Sequence, residues 1–141
     1  EIASHIAGKL RKGQKIDTTT KLAELSGETL AFLAEKERKE AVKKSCARVF
    51  QALRIDVNSE FEVLEAFLTK LPSCMAPGGR IAILTFHSGE DRLVKHAFKE
   101  GKKAGIYSEV AEDVIRPSSE ECVKNQRAKS TKMRWAVRAE E

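Results

Sequence analysis

Reactive side chains directly follow a short apolar run in the stretch IAILTFHSGEDRLVKHAF, residues 81–98. In open α/β folds, ligands bind in the crevice beyond the carboxyl ends of the strands. There the imidazole of His87 could donate or accept a hydrogen bond at neutral pH, and the ring of Phe86 could offer a stacking face. The alternative is structural: Phe86 ends the core, His87 is a satisfied surface imidazole and Ser88 caps a helix. Spacing alone favours this alternative.

Three charged residues, Glu90, Asp91 and Arg92, come next. Acidic residues in a first helical turn are ordinary capping chemistry, and an arginine beside them often forms a simple ion pair. The set of His87, Ser88 and Asp91 does not predict a catalytic triad, because sequence neighbours rarely form the required relay. No serine lies in a strained nucleophile elbow either.

The densest basic segment is KNQRAKSTKMR, residues 124–134. Asn, Gln, Ser and Thr stand between its lysines and arginines, a mixture that suits phosphate oxygens and sugar hydroxyls. The alternative is a solvated loop before an edge strand, where lysine discourages edge-to-edge aggregation. Charge alone favours neither interpretation. The basic residues are Lys124, Arg127, Lys129, Lys132 and Arg134.

Composition sets the broad class. The 141 residues are 41% hydrophobic and 33% charged, which predicts a single soluble domain with one core and room for a small appendage. A formal charge of +5 favours an anionic partner. The three cysteines lie far apart without a C-x-x-C spacing, so they indicate reduced thiols of an intracellular protein and not a disulfide framework or a zinc site. The residues themselves show no nucleotide-binding loop and no metal-binding motif.

Two further features concern processing and completeness. No apolar stretch approaches the length of a membrane-spanning helix, and the N-terminus lacks a charged-then-apolar signal segment. The chain begins at Glu1, in the middle of an amphipathic pattern, which predicts a fragment of a longer protein.

Helical patterns fill the first half of the chain. Asp17 or Thr18 can cap the second helix through its side-chain oxygen, and Pro72 should stop the last one. Apolar residues recur every three or four positions from 46 to 71, which indicates one long helix there. The predicted helices span residues 2–10, 16–28, 28–44 and 46–71.

Strand patterns appear in the second half. Residues 81–86 are apolar at both parities, which predicts a strand covered on both faces, and a helix should run from Ser88 to Gly101. Ser118 and Glu121 fit a capping box. Two later strands should form an antiparallel pair that finishes an otherwise parallel sheet, and the whole predicts an α/β fold. These two strands are expected at residues 107–117 and 132–139.

Five segments stand in the order and at the spacing of one known family. They resemble the C-terminal part of the MraW-like methyltransferases, which use S-adenosylmethionine to modify the N4 amine of a cytidine in small-subunit (16S) ribosomal RNA. The resemblance covers nearly the whole chain, and FQALRI-x-VN and FHS-x-EDR-x-VK are long and unusual. The segments are IDTTTKLAEL (16–25), RVFQALRIDVNSEFEVLEAFL (48–68), GGRIAILTFHSGEDRLVKHAF (78–98), RPSSEE (116–121) and NQRAKSTKMR (125–134).

The resemblance implies the C-terminal half of a class I (Rossmann-like) methyltransferase fold with part of a helical insert domain. Residues 1–45 would be the end of that insert, and residues 46–141 the C-terminal part of the methyltransferase domain. The missing N-terminal half would hold most of the S-adenosyl-L-methionine. The chain alone is therefore expected to be inactive.

The resemblance also implies candidate site residues. A flipped base needs a stacking partner and hydrogen bonds to its edge, so we take His87 and Ser88 as catalytic candidates and Phe86 as substrate-binding. Further substrate-binding candidates lie on the FQALRI-x-VN helix and in the basic segment, and no cofactor or metal ligand is implied. These further candidates are Arg48, Gln51, Arg54, Asn58, Arg127, Lys129, Lys132 and Arg134.

The chain departs from the family pattern at a few positions. The family usually has Leu in place of Gly89, a His-Pro pair in place of Ser45 and Cys46, and Pro in place of Gln126. Glycine in the first turn of a helix should loosen it by roughly 1 kcal/mol.

A second hypothesis from another class is a non-catalytic RNA- or ribosome-binding module derived from the same fold. A glycine-rich loop upstream, followed by an acidic residue at the end of the next strand, would favour the enzyme. Either way, the expected partner is small-subunit ribosomal RNA or the ribosomal subunit, a homodimer stays open, and no membrane is expected. The expected compartment is the bacterial cytoplasm, or the chloroplast or mitochondrion in a eukaryote.

Overall fold

A computed structural model describes residues 1–140. The chain divides into two compact units, Glu1–Asn58 and Ser59–Glu141. The first is helical, and the second combines helices with a three-stranded sheet. Within the described residues, no helix is both long enough and apolar enough to cross a membrane.

The first unit contains three helices. Thr18 caps the second of them, as one of the two predicted caps, because its hydroxyl accepts the amide of Lys21 at 3.2 Å. Leu25 and Ser26 are the buried residues of this helix. Val42, from the helix that follows, lies against Gly27, where an added Cβ would meet its methyl groups at 3.6 Å. The helices are α1 (Ile2–Arg11), α2 (Thr19–Glu28) and α3 (Glu35–Asn58).

The helix predicted from residue 28 to 44 begins later than expected. Residues 29–34 form turns, and α3 starts at Glu35. Arg38 explains the difference: its Nε and Nη2 donate to the carbonyl of Leu33 at 3.1 and 2.7 Å, and Nη2 also donates to the carbonyl of Ala31 at 2.6 Å. The guanidinium thereby satisfies carbonyls that a continuous helix would have bonded internally.

The prediction of a single long helix from residue 46 to 71 is wrong. Helix α3 ends at Asn58 and α4 (Glu60–Cys74) begins two residues later. Ser59 between them has φ 49° and ψ 41°, a left-handed conformation that interrupts the helix. The two compact units also divide here. Pro72 does not stop α4 but lies within its last turn.

The second unit is built around an antiparallel sheet in the order β1-β3-β2. The predicted antiparallel pairing of the last two strands is confirmed, and β1 also pairs with β3 in antiparallel register, with Ile83 opposite Arg134. Ser118 caps α6 by accepting the amide of Glu121 at 3.1 Å, as the capping-box pattern predicted. The elements are α4, β1 (Arg80–Thr85), α5 (Ser88–Lys103), β2 (Tyr107–Val110), α6 (Ser119–Lys124), a 3₁₀ helix (Gln126–Ser130) and β3 (Lys132–Arg138).

One face of the sheet carries the core. Helices α4 and α5 pack on it, and the cluster comprises Leu68, Leu71, Val94, Phe98, Tyr107 and Ala136. The other face is not covered within residues 1–140, so the prediction of a strand buried on both faces is wrong for this part of the chain. Leu84 is 57% exposed there, and the cross-strand pairs Ala82–Trp135 and Leu84–Met133 line the same face.

Gly101 offers a test of how tightly α5 packs on the sheet. It is buried in α5, and a Cβ added there would lie 2.5 Å from Cδ2 of Tyr107, whose ring packs edge-on against Phe98. We expect Gly101→Ala to lower the free energy of unfolding by roughly 1–3 kcal/mol, because overpacking outweighs the better helix propensity of alanine. Urea denaturation followed by circular dichroism measures this change.

Gly8→Ala is the matched control. Gly8 is also helical, but nothing lies within 4 Å of the added Cβ. The free energy of unfolding should stay unchanged or rise by up to about 1 kcal/mol. Equal stability of the two variants would contradict the packing assigned to Gly101.

Candidate functional site

His87 forms the junction between β1 and α5. Its backbone is extended, and Nδ1 accepts the amides of Gly89 and Glu90 at 3.2 and 3.4 Å, which makes His87 the N-cap of α5. The prediction that Ser88 caps this helix is therefore wrong. Ser88 is already the first helical residue, so the capping position belongs to the residue before it.

Glu90 binds the same junction from the helix side. Its Oε2 accepts the backbone N–H of Phe86 at 3.0 Å, and Oε1 lies 3.3 Å from Nε2 of His87. The second contact lacks hydrogen-bond geometry, and Nε2 is buried without a hydrogen-bond partner in the described chain. Because Nδ1 accepts two amides, the neutral ring carries its proton on Nε2. A buried N–H without an acceptor costs about 1–3 kcal/mol, and solvent does not reach this nitrogen in the described chain.

Solvent reaches the groups on either side of the imidazole. Phe86 is 56% exposed at the end of β1, and Ser88 is also exposed. The structure thus brings together the three predicted residues Phe86, His87 and Ser88 at one strand end. Phe86 and Ser88 thus offer an exposed aromatic ring and an exposed hydroxyl on either side of His87 in the chain.

Phe61 of α4 packs against the imidazole, a contact that no sequence pattern predicted. Its ring packs edge-on against His87, with centroids 5.7 Å apart and planes at 63°. Gly89 makes this possible, because a Cβ at that position would lie 2.7 Å from Cζ of Phe61 and 3.2 Å from Cε1 of His87. The glycine that departs from the family pattern therefore has a packing role in this chain.

Glu60, His87 and Glu90 raise the question of a metal site. Each offers one ligand atom, and these atoms lie within 4.8 Å of one another. The hydrogen bonds of His87 argue against ligation, since a metal-bound histidine normally donates its other ring N–H. Here Nδ1 accepts amides instead, which places the proton on the nitrogen that would face the metal. The arrangement fits a hydrogen-bond donor better than a metal ligand.

Asp91 ties the first turn of α5 to β3. Its Oδ1 accepts Nε of Arg134 at 2.7 Å, and its Oδ2 accepts Nη2 of Arg134 at 3.4 Å and Nζ of Lys132 at 3.3 Å. Burial acts to raise the pKa of this carboxyl, but the hydrogen bonds and charges of Arg134 and Lys132 outweigh it and hold the pKa below its ordinary value. Asp91 is therefore chiefly an ion-pair partner and not the simple first-turn acid that we predicted.

This ion pair engages two residues of the predicted RNA-binding set. Arg134 is 7% exposed, and its Nε and Nη2 donate to Asp91. Lys132 is half-buried and shares the same carboxylate. The two residues alternate on β3 with Met133 and Trp135 of the uncovered face, and they share the opposite face with the buried Ala136.

The other three basic residues of the segment, Lys124, Arg127 and Lys129, are exposed. Arg127 and Lys129 lie in the 3₁₀ helix, whose start is capped by Asn125 through a 3.1 Å bond to the amide of Arg127. Lys124, by contrast, pairs with Glu120 at 2.6 Å. Arg127 and Lys129 thus keep the placement expected for residues that meet an anionic partner.

The remaining candidates lie in the first unit. Arg48, Gln51, Arg54 and Asn58 belong to α3 and are exposed. Their spacing of three, three and four residues puts them along one side of the helix. The structure thus groups these four with one another.

The bonds made by Glu90 could have been found from the sequence. A capping box joins a cap to the residue three positions later, whose side chain reaches back to a backbone amide at the helix start. His87 and Glu90 have that spacing, but the usual signature has Ser or Thr as the cap and does not point to a histidine. Phe61 lies on another helix and carried no comparable local signal.

Known proteins are similar to the chain over nearly its full length. A family described as the MraW methylase family matches residues 1–139. A protein of Agathobacter rectalis named ribosomal RNA small subunit methyltransferase H 1 is 64% identical over 99% of the chain and 40% of its own length. The protein of the same name from Lachnoclostridium phytofermentans is 63% identical over 99% of the chain and 38% of its own length. The chain thus spans about two fifths of the length of these curated relatives.

Replacing the buried carboxylate tests the ion pair. Asp91→Asn leaves Arg134 buried without a counter-charge, so we expect the free energy of unfolding at pH 7 to fall by roughly 3–5 kcal/mol. The wild-type carboxylate has a lowered pKa, so its stabilisation is complete above the ordinary aspartate pKa and is lost as the pH falls through the lowered value. The variant should lack this part of the acid dependence. Urea denaturation over a neutral-to-acid pH series measures both effects.

Asp113→Asn serves as the control, since Asp113 is exposed. Its unfolding free energy should stay within about 0.5 kcal/mol of wild type at neutral pH. If Asp91→Asn were as stable as this control, the ion pair would not hold α5 to β3.

Proposed function

The chain belongs to the MraW methylase family, and on that premise we propose that it is the C-terminal part of an S-adenosylmethionine-dependent methyltransferase. The proposed substrate is the N4 amine of a cytidine in small-subunit (16S-type) ribosomal RNA. The observation that carries the proposal is the family match over residues 1–139, which includes the strand end with Phe86 and His87. Relatives named as small-subunit ribosomal RNA methyltransferases support the substrate class.

The chemistry of the strand end suits a cytosine taken out of its stack. A flipped base is commonly read by stacking and by hydrogen bonds to its edge. We infer that the exposed ring of Phe86 stacks on the base and that Nε2–H of His87 donates to one of its acceptor atoms, which satisfies the unpaired donor. The exposed hydroxyl of Ser88 lies beside them for a further contact. These contacts would hold the amine in line for methyl transfer, where positioning supplies much of the rate.

S-adenosylmethionine would supply the methyl group, but the residues described do not form its site by themselves. The polar groups at the end of β1 are used locally: Nδ1 of His87 by two amides and Oε2 of Glu90 by the amide of Phe86. The carboxylates of the described residues near His87 already make other contacts, so we infer that they do not bind the ribose of the cofactor. We infer that a preceding segment of the full-length protein binds most of the cofactor.

The sheet supports the same inference. Ala82, Leu84, Met133 and Trp135 make a face that no layer covers in residues 1–140, and β1 pairs there with β3 alone. Exposed apolar faces of this kind mark interaction surfaces. The relatives extend well beyond the matched segment, so a preceding part of the chain would supply the missing layer and strands.

RNA would meet the exposed basic residues. We propose Arg127 and Lys129 for backbone phosphates, and Arg48, Gln51, Arg54 and Asn58 of α3 as a second polar surface. The bacterial relatives favour the bacterial cytoplasm as the compartment.

The test uses His87 in a full-length protein that carries this segment. His87→Ala removes both the cap of α5 and the Nε2 donor, whereas His87→Asn keeps a good cap but not that donor. We expect both variants to lower cytidine methylation of small ribosomal subunits roughly tenfold, the value of one hydrogen bond of about 1.4 kcal/mol. Cofactor binding should stay unchanged. Mass spectrometry of the RNA and calorimetry with S-adenosylmethionine measure the two quantities.

His96→Ala controls for the loss of an imidazole, because His96 is exposed on the same helix. It should methylate at the wild-type rate. Full activity of His87→Asn would mean that His87 acts only as a helix cap and not as a hydrogen-bond donor to the substrate. Retained cofactor and RNA binding without any methylation by the wild-type protein would favour a non-catalytic RNA-binding module.

A further inference from the structure

A pocket lies along α5, beyond the turn that holds His87. It has a volume of about 240 Å³ and is lined by residues of α5, of β2 with the two residues after it, and of β3. Its walls combine an apolar part, formed by Phe98 and Val110, with a strongly basic part. The basic residues are Lys95, Lys99 and Arg134.

The three cations differ in how firmly they are held. Asp91 fixes Arg134 through Nε and Nη2, and Nη1 has no acceptor among the described residues. Lys95 and Lys99 stand one helical turn apart and are exposed. The pocket therefore has one oriented guanidinium and two adaptable ammonium groups.

The charge balance of the pocket is positive. Asp91 offsets Arg134, and Lys132 shares that carboxylate. Glu112 lines the pocket and is exposed, and the carboxylate of Glu100 lies near Lys99. Even so, three basic side chains line the pocket against one acidic side chain, that of Glu112. A fixed guanidinium with neighbouring lysines is the arrangement that proteins use for phosphate oxygens.

The apolar wall further limits the classes of ligand that fit the pocket. Phe98 is 3% exposed, so its ring is not available as a stacking platform for a base. The wall can instead contact the carbon skeleton of a sugar. A phosphate ester joined to a ribose thus matches both parts of the pocket better than a free base or an apolar ligand.

The position of the pocket relates it to the end of β1. His87, Asp91, Lys95 and Lys99 recur every four residues along α5. At 1.5 Å per residue, Lys95 lies about 12 Å along the axis from His87. A strand that places one base at His87 would carry its neighbouring phosphates along this side of the helix.

We propose that this pocket binds a backbone phosphate of the substrate RNA close to the target nucleotide. The inference rests on the proposed function, because it takes RNA as the source of the phosphate ester. A free nucleotide has the same chemistry and is the other source to be separated by experiment.

The test measures binding of a short fluorescein-labelled single-stranded RNA of mixed sequence to the chain by anisotropy, over a series of salt concentrations. The variant Lys95→Gln/Lys99→Gln should weaken binding roughly tenfold and reduce the slope of log K against log salt by about 0.7, the value for one lost phosphate contact. Lys70→Gln/Lys102→Gln is the matched control, since both lysines are exposed and neither lines the pocket. It should bind with the wild-type slope. Unfolding curves should be the same for both variants.

Each of the other possible outcomes would contradict a particular part of the proposal. Equal weakening in the two double variants would remove the pocket while wild-type RNA binding still supports the proposed function. Displacement of the RNA by a nucleoside monophosphate at micromolar concentration would make a free nucleotide the ligand. Absence of RNA binding by the wild-type chain would remove both the pocket and the RNA-binding role of this segment.

Discussion

The buried ion pair between Asp91 and Arg134 joins the first turn of α5 to β3, and the second unit depends on it. Oppositely charged groups repay their desolvation only when their geometry is good and their remaining bonding capacity is satisfied. Here both carboxylate oxygens are used, and Lys132 completes the set. The helix start that holds His87 and the strand that follows the basic segment are thereby fixed to one another.

Local chemistry explains why several elements of both units could be predicted. The caps at Thr18 and Ser118 and the antiparallel pairing of β2 with β3 follow from short patterns whose physical cause lies within a few residues. The resemblance located the segment that carries Phe86 and His87. What failed depends on single conformations or on distant partners. Ser59 breaks a continuous apolar stripe through a left-handed backbone, and Arg38 bonds carbonyls up to seven residues away. Neither the backbone conformation of Ser59 nor the hydrogen bonds of Arg38 can be predicted from the spacing of apolar residues.

The candidate site shows the same division. Phe86, His87 and Ser88 were predicted as one site, but the cap of α5 is His87 and not Ser88, because an imidazole is an uncommon helix cap. One ring nitrogen of His87 is used for folding, and the other is left with a proton and no acceptor. A single side chain thus connects the stability of α5 to the chemistry of the strand end, and Phe61 and Gly89 determine the orientation of its ring.

The strand order has a consequence for synthesis. β3 lies between β1 and β2 but follows both in the chain. Neither ladder of hydrogen bonds can form until β3 has left the ribosome, and until then Asp91 has no arginine to neutralise it. Both pairings of β3 can therefore form only after this last strand is translated, although β1 and β2 are made earlier.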